Sequence, residues 1–121
     1  VPFDLLADAH GDIAQQNRFR QHRGVIEVRQ RKGRLARPDG LVAICPTGNP
    51  GMATAGTGDV LTGMVVGLLG QGVSAWEAAC TATYFHGLAG DLAARQLGQP
   101  GMLASDLIAQ IPYALQRTTT I

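Results

Sequence analysis

Residues 56–59 read Gly56-Thr57-Gly58-Asp59, and this stretch, together with the apolar residues after it, decides the fold. These apolar residues recur at helical spacing, and this predicts a helix that begins near Asp59 and ends at Gly70 and Gly72. The apolar residues of this helix are Val60, Leu61, Met64, Val65, Leu68 and Leu69. A glycine-rich turn that opens into an apolar helix, in a chain rich in small residues, is typical of an α/β protein.

The chemistry of this turn favours an anion. Gly56 and Gly58 permit positive backbone torsions and place no side chain in the path of a phosphate. The helix start adds unpaired N–H groups and the positive end of the helix dipole. Asp59 has two interpretations here. It either caps the helix, or it accepts a proton from a hydroxyl that attacks a bound phosphate.

The sequence before this turn predicts a hairpin and a long loop. Strands are predicted near 34–37 and 41–45, joined by a turn at Pro38-Asp39-Gly40, with another strand at 24–28. Leu5, Leu6 and Ala9 fit a short helix. Residues 46–57 contain several Pro, Gly and Asn residues, so neither helix nor strand persists there. Long ordered loops of this kind are often functional.

Two further helices are predicted after residue 73. Ser74 and Glu77 form a capping box for a helix that runs to about Leu97 and ends at Gly98. Its predicted buried face is Ala78, Ala79, Ala82, Phe85, Ala89, Leu92 and Ala93. The last helix starts near Ser105, is bent at Pro112, and gives way to a frayed tail from Arg117. Its apolar residues are Leu107, Ile108, Ile111 and Leu115. We therefore divide the chain into an irregular or divergent segment 1–24, a nucleotide-binding half-domain 25–117 and a tail 118–121.

Several single residues near these elements have simple interpretations. His86 is expected to be a partly buried packing residue, and Asp91 to face solvent or cap a neighbouring loop. Asn49 is expected in a turn, with loop bracing or proximity to a phosphate as alternatives. Gly63 and Gly67 lie four residues apart on one helix face, which predicts close packing there.

Composition narrows the class of protein. The 121 residues are 45% hydrophobic with a formal net charge of +1, as expected for one globular domain. Eight of the ten basic residues lie in residues 1–37, but aromatic residues are almost absent among them, so we expect a solvated face and no nucleic-acid partner. Cys45 and Cys80 form no metal or disulfide motif and predict small buried residues in a reducing cytoplasm. No stretch predicts a signal peptide or a membrane span.

Three runs of sequence together resemble a known family. Residues 46–63 read Pro46-Thr47-Gly48-Asn49-Pro50-Gly51-Met52-Ala53-Thr54-Ala55-Gly56-Thr57-Gly58-Asp59-Val60-Leu61-Thr62-Gly63. The other two runs are Tyr84-Phe85-His86-Gly87-Leu88-Ala89-Gly90-Asp91-Leu92-Ala93 and Leu103-Ala104-Ser105-Asp106-Leu107-Ile108. In this order they resemble the ADP-dependent NAD(P)H-hydrate dehydratases of the ribokinase-like superfamily, over roughly residues 38–116.

The resemblance implies a fold and an activity. The fold is the ribokinase-like three-layer α/β fold, with helices against a mainly parallel sheet, and here only its C-terminal half, a hairpin or strands followed by three helices. The activity is phosphoryl transfer from ADP (or ATP), with Mg²⁺, to the ring hydroxyl of hydrated NADH or NADPH, followed by loss of phosphate. No residue of the chain is expected to bind a metal directly. The small-molecule substrate is expected to be the chain's ligand, without nucleic acid or membrane partners, and the chain is expected to form a homo-oligomer.

The resemblance also implies roles for the residues of the turn. Gly56, Thr57 and Gly58 bind the nucleotide, with Gly58 against its adenylate moiety and the backbone of 56–58 stabilising charge on the transferring phosphoryl group. Asp59 binds the hydrated cofactor near its hydroxyl and assists as the base.

Some features depart from the family pattern. Ala55 replaces a glycine, and Arg29-Gln30-Arg31 lies where the family has a Lys-Gly-Ala nucleotide motif, unless a shortened hairpin brings Lys32-Gly33 there. Residues 10–34 are therefore either divergent or the product of an upstream reading-frame error. Because the family domain is more than twice as long, we expect a fragment that binds nucleotide weakly and is inactive by itself.

Two other functions stay open at this point. One is a ribokinase-like kinase that acts on a vitamin precursor or a sugar, although residues 47–54 seldom occur in this form in those kinases. The other is a non-catalytic nucleotide-binding or assembly fragment.

Overall fold

The computed structural model describes residues 4–6 and 34–119. Its strands are β1 (Asp4–Leu6), β2 (Arg34–Ala36) and β3 (Val42–Ile44). Its helices are α1 (Thr57–Gly70), α2 (Ala75–Leu97) and α3 (Ala104–Thr119). Short 3-10 helices at Pro50–Met52 and Gln99–Gly101 lie in the loops before α1 and α3. The predicted hairpin followed by three helices is confirmed. The predicted strand at 24–28 and the proposed motif at 29–33 lie outside the described residues.

The hairpin forms where its turn residues predict it. The N–H of Gly40 donates to the carbonyl of Arg37 at 3.0 Å, and the N–H of Arg37 donates to the carbonyl of Leu41 at 2.8 Å. Asp39 accepts a hydrogen bond from the N–H of Leu41 at 3.1 Å, and Gly40 has a φ of +92°, which favours glycine. This local chemistry closes the chain between β2 and β3.

The described strands correct two expectations. The sheet has the order β1-β3-β2 with both pairs antiparallel, whereas we expect a mainly parallel sheet from the family likeness. The short 37–41 connection between β2 and β3 permits only antiparallel pairing of these two strands, because parallel strands need a long crossover. Leu5 and Leu6 fit a helix by pattern, but they lie in β1 and pair with Ala43 and Val42. Pairing with a neighbouring strand outweighs local preference in such a short segment.

Helix α2 lies at the centre of the described structure and contributes to two hydrophobic clusters. One joins it to the hairpin and consists of Leu35, Ala43, Cys45, Ala79 and Cys80. The other joins it to α3 and the loop before α1, and consists of Met52, Ala89, Leu92, Ala93, Met102, Leu107 and Ala114. The predicted buried face of α2 is therefore confirmed, except that Phe85 is only half-buried. Its small residues allow both the hairpin and α3 to approach closely.

The ends of α2 and α3 follow their sequence signals. Ser74 caps α2 by accepting the N–H of Glu77 at 3.4 Å, and Gly98, with a φ of +75°, ends the helix. Helix α3 contains Pro112 and continues through Thr119, beyond the predicted start of the tail at Arg117.

The apolar residues of α3 do not all face the core. Leu107 and Ala114 are fully buried, whereas Ile108 and Leu115 are 51% and 46% exposed. The buried stripe of α3 therefore runs through Leu107 and Ala114, and only part of the predicted apolar set belongs to it.

Helix α1 is apolar but poorly covered by the described residues. Its only buried residue is Thr57 at its start, and Val66 is 60% exposed. The described residues do not make the close packing predicted at Gly63 and Gly67, because a Cβ at either position would meet none of their atoms within 4 Å, and this packing stays a prediction. Across residues 4–6 and 34–119, none of the helices combines the length and hydropathy needed to cross a membrane.

Candidate functional site

The first turn of α1 presents backbone donors to open space. Gly56 is the N-cap residue with a φ of +90°, and no side chain caps the helix there. The N–H of Val60 donates to the carbonyl of Gly56 at 3.2 Å, which begins the helical ladder. The N–H groups of Gly58 and Asp59 precede this bond and have no acceptor within the helix. A Cβ at Gly58 would meet nothing within 4 Å, so the space beside this turn is free among the described residues.

The side chain of Thr57 points inward. It is 2% exposed, and its hydroxyl lies 2.7 Å from the carbonyl oxygen of Met52 and 3.0 Å from that of Thr54. These bonds attach the loop to the first turn of α1. The hydroxyl is therefore engaged internally, and Thr57 can contact a ligand only through its backbone.

Asp59 lies on the same turn with its carboxylate exposed. Gly56 occupies the N-cap position, so the interpretation of Asp59 as the N-cap residue is wrong. No hydrogen bond or ion pair engages this carboxylate among the residues that the structure describes. An exposed carboxylate on the turn that carries the free N–H groups is available to a ligand bound there.

The loop before this turn is held by Asp91 of α2. One carboxylate oxygen accepts the N–H of Gly48 at 3.0 Å, and the other accepts the side-chain amide of Asn49 at 2.9 Å. The carbonyl oxygen of the same amide accepts the N–H of Gly51 at 3.0 Å and so starts the short 3-10 helix. The loop-capping interpretation of Asp91 is confirmed, and Asn49 combines the turn and bracing roles.

Two glycines of α2 let the loop lie directly on the helix. A Cβ on Gly87 would lie 2.8 Å from the carbonyl carbon of Thr47. The Thr47 hydroxyl donates a hydrogen bond to the carbonyl of Tyr84 at 2.8 Å. A Cβ on Gly90 would lie 2.7 Å from Cγ of Met52. A side chain at position 87 would displace the loop backbone, and one at position 90 would displace the Met52 side chain, so α2 acts as a template for residues 47–52.

His86 contacts the first turn of α1 from the same helix. Its side chain is 8% exposed, and Nε2 lies 2.8 Å from the carbonyl oxygen of Thr57. Burial lowers the pKa of the imidazole, and the hydrogen bond to this carbonyl opposes that effect in part. The packing interpretation of His86 is thus correct but incomplete. The signal in the sequence was its position in the run 84–93, which carries the resemblance.

The two cysteines lie in the core away from this turn. Cys45 and Cys80 are buried and free, as the sequence predicts. Burial raises the pKa of both thiols, to about 11 for Cys80. A thiol with a raised pKa is a poor nucleophile at neutral pH, so neither adds to the chemistry of the site.

Comparison with known proteins decides the family. A family model described as NAD(P)H-hydrate dehydratase matches residues 4–113. The chain belongs to the NAD(P)H-hydrate dehydratase family. Among curated members, the bifunctional NAD(P)H-hydrate repair enzyme Nnr of Moorella thermoacetica is 53% identical over 97 residues, which are 80% of this chain. The ADP-dependent (S)-NAD(P)H-hydrate dehydratase of Neisseria meningitidis is 37% identical over 95 residues, which are 78% of this chain.

Solved structures, one of them an NAD(P)H-hydrate dehydratase, share the fold. Bacillus subtilis YxkO, described as a putative kinase, superposes with a TM-score of 0.77 at 29% identity over 88% of this chain. The ADP/ATP-dependent NAD(P)H-hydrate dehydratase of Bacillus subtilis, co-crystallized with ATP and Mg²⁺, has a TM-score of 0.69 at 34% identity over 74% of this chain. The ribokinase-like α/β fold predicted from the sequence is therefore confirmed.

The chain spans only part of each of these relatives. It covers 18% of the Moorella protein, 32% of the Neisseria protein and 40% of the YxkO chain. The described hairpin and three helices are accordingly a partial domain of the family fold.

Proposed function

We propose that this chain carries the nucleotide half of an ADP-dependent NAD(P)H-hydrate dehydratase, an enzyme that repairs hydrated NADH or NADPH. The observation that supports this proposal most directly is the first turn of α1, where the N–H groups of Gly58 and Asp59 have no acceptor among the described residues and a Cβ on Gly58 would meet none of their atoms within 4 Å. Family membership supplies the reaction, and the turn supplies a physical basis for holding a nucleotide phosphate.

The backbone of Gly56, Thr57 and Gly58 binds the nucleotide in this proposal. The N–H groups at the helix start donate to phosphate oxygens, and the absence of a side chain at Gly58 leaves room for the adenylate moiety. As phosphoryl transfer proceeds, charge develops on the transferring group, and donors held in place by the rest of the protein stabilise it without reorganising.

Asp59 acts as the base on the substrate. Its carboxylate accepts the proton of the ring hydroxyl as that oxygen forms a bond to the phosphorus of ADP, and AMP leaves. Phosphate then leaves with the electron pair of the carbon–oxygen bond, a proton is lost from the adjacent ring carbon, and the double bond of NADH or NADPH is restored.

Mg²⁺ fits this site as a partner of the nucleotide. Within the described residues, no three His, Cys, Asp or Glu side chains come together to hold a metal. Mg²⁺ in nucleotide enzymes is commonly bound in large part by substrate phosphates, so the phosphates of the nucleotide would hold the ion here. The ion would neutralise charge on the phosphates. A homo-oligomer and a cytoplasmic location stay predictions.

The non-catalytic fragment is a second candidate, because the chain covers only 18% to 40% of the Moorella, Neisseria and YxkO proteins. Binding and turnover separate the two functions. We expect ADP to raise the melting temperature of the purified chain, and conversion of hydrated NADH to NADH by that chain with ADP and Mg²⁺ would exclude the non-catalytic module. Binding without turnover would favour the non-catalytic module. Stabilisation by a sugar or a vitamin precursor, and not by ADP with hydrated NADH, would contradict the dehydratase.

A further inference from the structure

His86 of α2 contacts the proposed phosphate turn through a hydrogen bond to the carbonyl of Thr57. A carbonyl oxygen can only accept, so the imidazole nitrogen Nε2, 2.8 Å away, carries a proton and donates it. The imidazole is 8% exposed, and the contact is therefore shielded from water.

This contact holds the oxygen of a peptide group in the proposed phosphate turn. The carbonyl of Thr57 and the N–H of Gly58 belong to one planar trans peptide unit, in which the C=O and N–H bonds point in opposite directions. A donor that holds the oxygen on the α2 side therefore directs the Gly58 N–H away from α2. That N–H has no acceptor within the helix, and the space beside Gly58 is open.

The helix does not require this bond for its own hydrogen bonding. In an α-helix the carbonyl of Thr57 accepts the N–H of the residue four positions later, so the imidazole is a second donor to the same oxygen. Hydrogen bonds that share a peptide group polarise one another, so a donor on the carbonyl also strengthens the N–H as a donor. If residue 86 only filled space, an apolar side chain of similar size would do so without the free-energy cost of burying an imidazole.

The geometry points to His86 as a positioning residue that orients the Gly58 N–H toward the phosphates of the nucleotide through the Thr57 carbonyl. This inference rests on the proposed function, because it assigns the orientation of a donor in that same site. His86 itself touches neither nucleotide nor substrate in this arrangement.

Two substitutions at position 86 separate positioning from packing. His86→Leu fills a similar volume without a donor. His86→Gln places an amide nitrogen the same number of bonds from the backbone as Nε2, so it can donate to the Thr57 carbonyl. Ser74→Ala is the matched control, because it removes the cap at the N-terminal end of the same helix and so lowers stability without changing the contact of His86.

ADP affinity of the full chain, measured by calorimetry with Mg²⁺ at a temperature where all variants are folded, is the first measurement. We expect His86→Leu to weaken binding about tenfold, the factor for one hydrogen bond to a charged group. His86→Gln should restore most of that loss, and Ser74→Ala should bind as the unchanged chain does. Three results would each overturn the inference. His86→Leu could bind ADP as tightly as the unchanged chain, His86→Gln could bind it as weakly as His86→Leu, or Ser74→Ala could bind it as weakly as His86→Leu.

A second measurement does not depend on nucleotide. In the ligand-free chain, nitrogen NMR should show the imidazole proton on Nε2, and the Gly58 amide resonance should shift in His86→Leu and return in His86→Gln. A proton on Nδ1 alone, or an unchanged Gly58 resonance in the Leu variant, would overturn the inference. If the unchanged chain does not bind ADP, the proposed function is wrong. The second measurement still decides whether His86 orients the N–H of Gly58.

Discussion

Gly87→Ala tests whether α2 is the template for the loop before the phosphate turn. The added Cβ would lie 2.8 Å from the carbonyl carbon of Thr47, and the same residue donates its hydroxyl to the carbonyl of Tyr84. The clash involves backbone and cannot be relieved by a rotamer change, so the loop has to move. Overpacking of this kind costs about 1–3 kcal/mol, and weakening of the Thr47 bond adds about 1 kcal/mol.

Helix propensity opposes this cost. Alanine is favoured over glycine inside a helix by about 1 kcal/mol, so the net destabilisation expected for Gly87→Ala is about 1–3 kcal/mol. For a chain of 121 residues this corresponds to a fall in melting temperature of roughly 3–5 °C per kcal/mol. Calorimetry or circular dichroism of the purified chain measures it.

Gly63→Ala is the matched control in α1. A Cβ there meets nothing within 4 Å, so only the propensity gain of about 1 kcal/mol applies and the melting temperature should rise. Opposite signs for the two variants are expected. A rise in melting temperature for Gly87→Ala, equal to that of Gly63→Ala, would refute the close approach of the loop to α2.

Four other predictions concern the site and the core. Asp59→Ala should abolish any turnover of hydrated NADH while sparing much of the ADP affinity, and retained turnover in a rate assay would exclude Asp59 as the base. Gly58→Val fills the open space beside the turn and should weaken ADP binding about tenfold or more by calorimetry, whereas Gly63→Val should not; equal affinities would place the nucleotide elsewhere. Burial lowers the pKa of His86 below its ordinary 6.5, so the unfolded chain binds the proton first as pH falls. Stability should therefore be full above about pH 6.5 and decrease below it, and His86→Gln should lessen this dependence in urea titrations at two pH values. Thr83→Val should raise the melting temperature, since the Thr83 hydroxyl is buried with no partner among the described residues, and a fall would mean that this hydroxyl is satisfied.

Local signals in the sequence predicted most of the helices and the hairpin. The Pro38-Asp39-Gly40 turn, the Ser74 cap and Gly98 each act through their own backbone or a neighbour within a few residues, so their structural effect can be inferred without the fold. The strand at Leu5 and Leu6 could not be inferred in this way, because β1 exists through its pairing with β3, far along the chain. The surface that packs against Gly63 and Gly67 could not be inferred for a related reason. A pattern indicates that small residues share a face, but not which surface meets that face.

The residues of the candidate site also differ in whether local sequence or tertiary contacts determine their roles. The glycines and the carboxylate of residues 56–59 were predicted, because a glycine-rich helix start has a direct physical link to anion binding. The roles of His86 and Asp91 depend on α2 lying against the loop, which is a tertiary contact between segments more than 25 residues apart. The inward direction of the Thr57 hydroxyl depends on the path of the loop in the same way.

The contacts on α2 explain why the glycine turn needs a long and otherwise irregular loop before it. Helix α2 fixes the start of the loop through Asp91, its middle through the contact of Met52 with Gly90, and its end through His86 on the Thr57 carbonyl. A short connection from β3 to α1 would not reach all three points on one helix face. The irregular backbone of the loop is thus ordered by a regular element. Because donors in a binding site act best when they are fixed before the ligand arrives, the rigidity of α2 is what allows flexible glycines to form a defined turn.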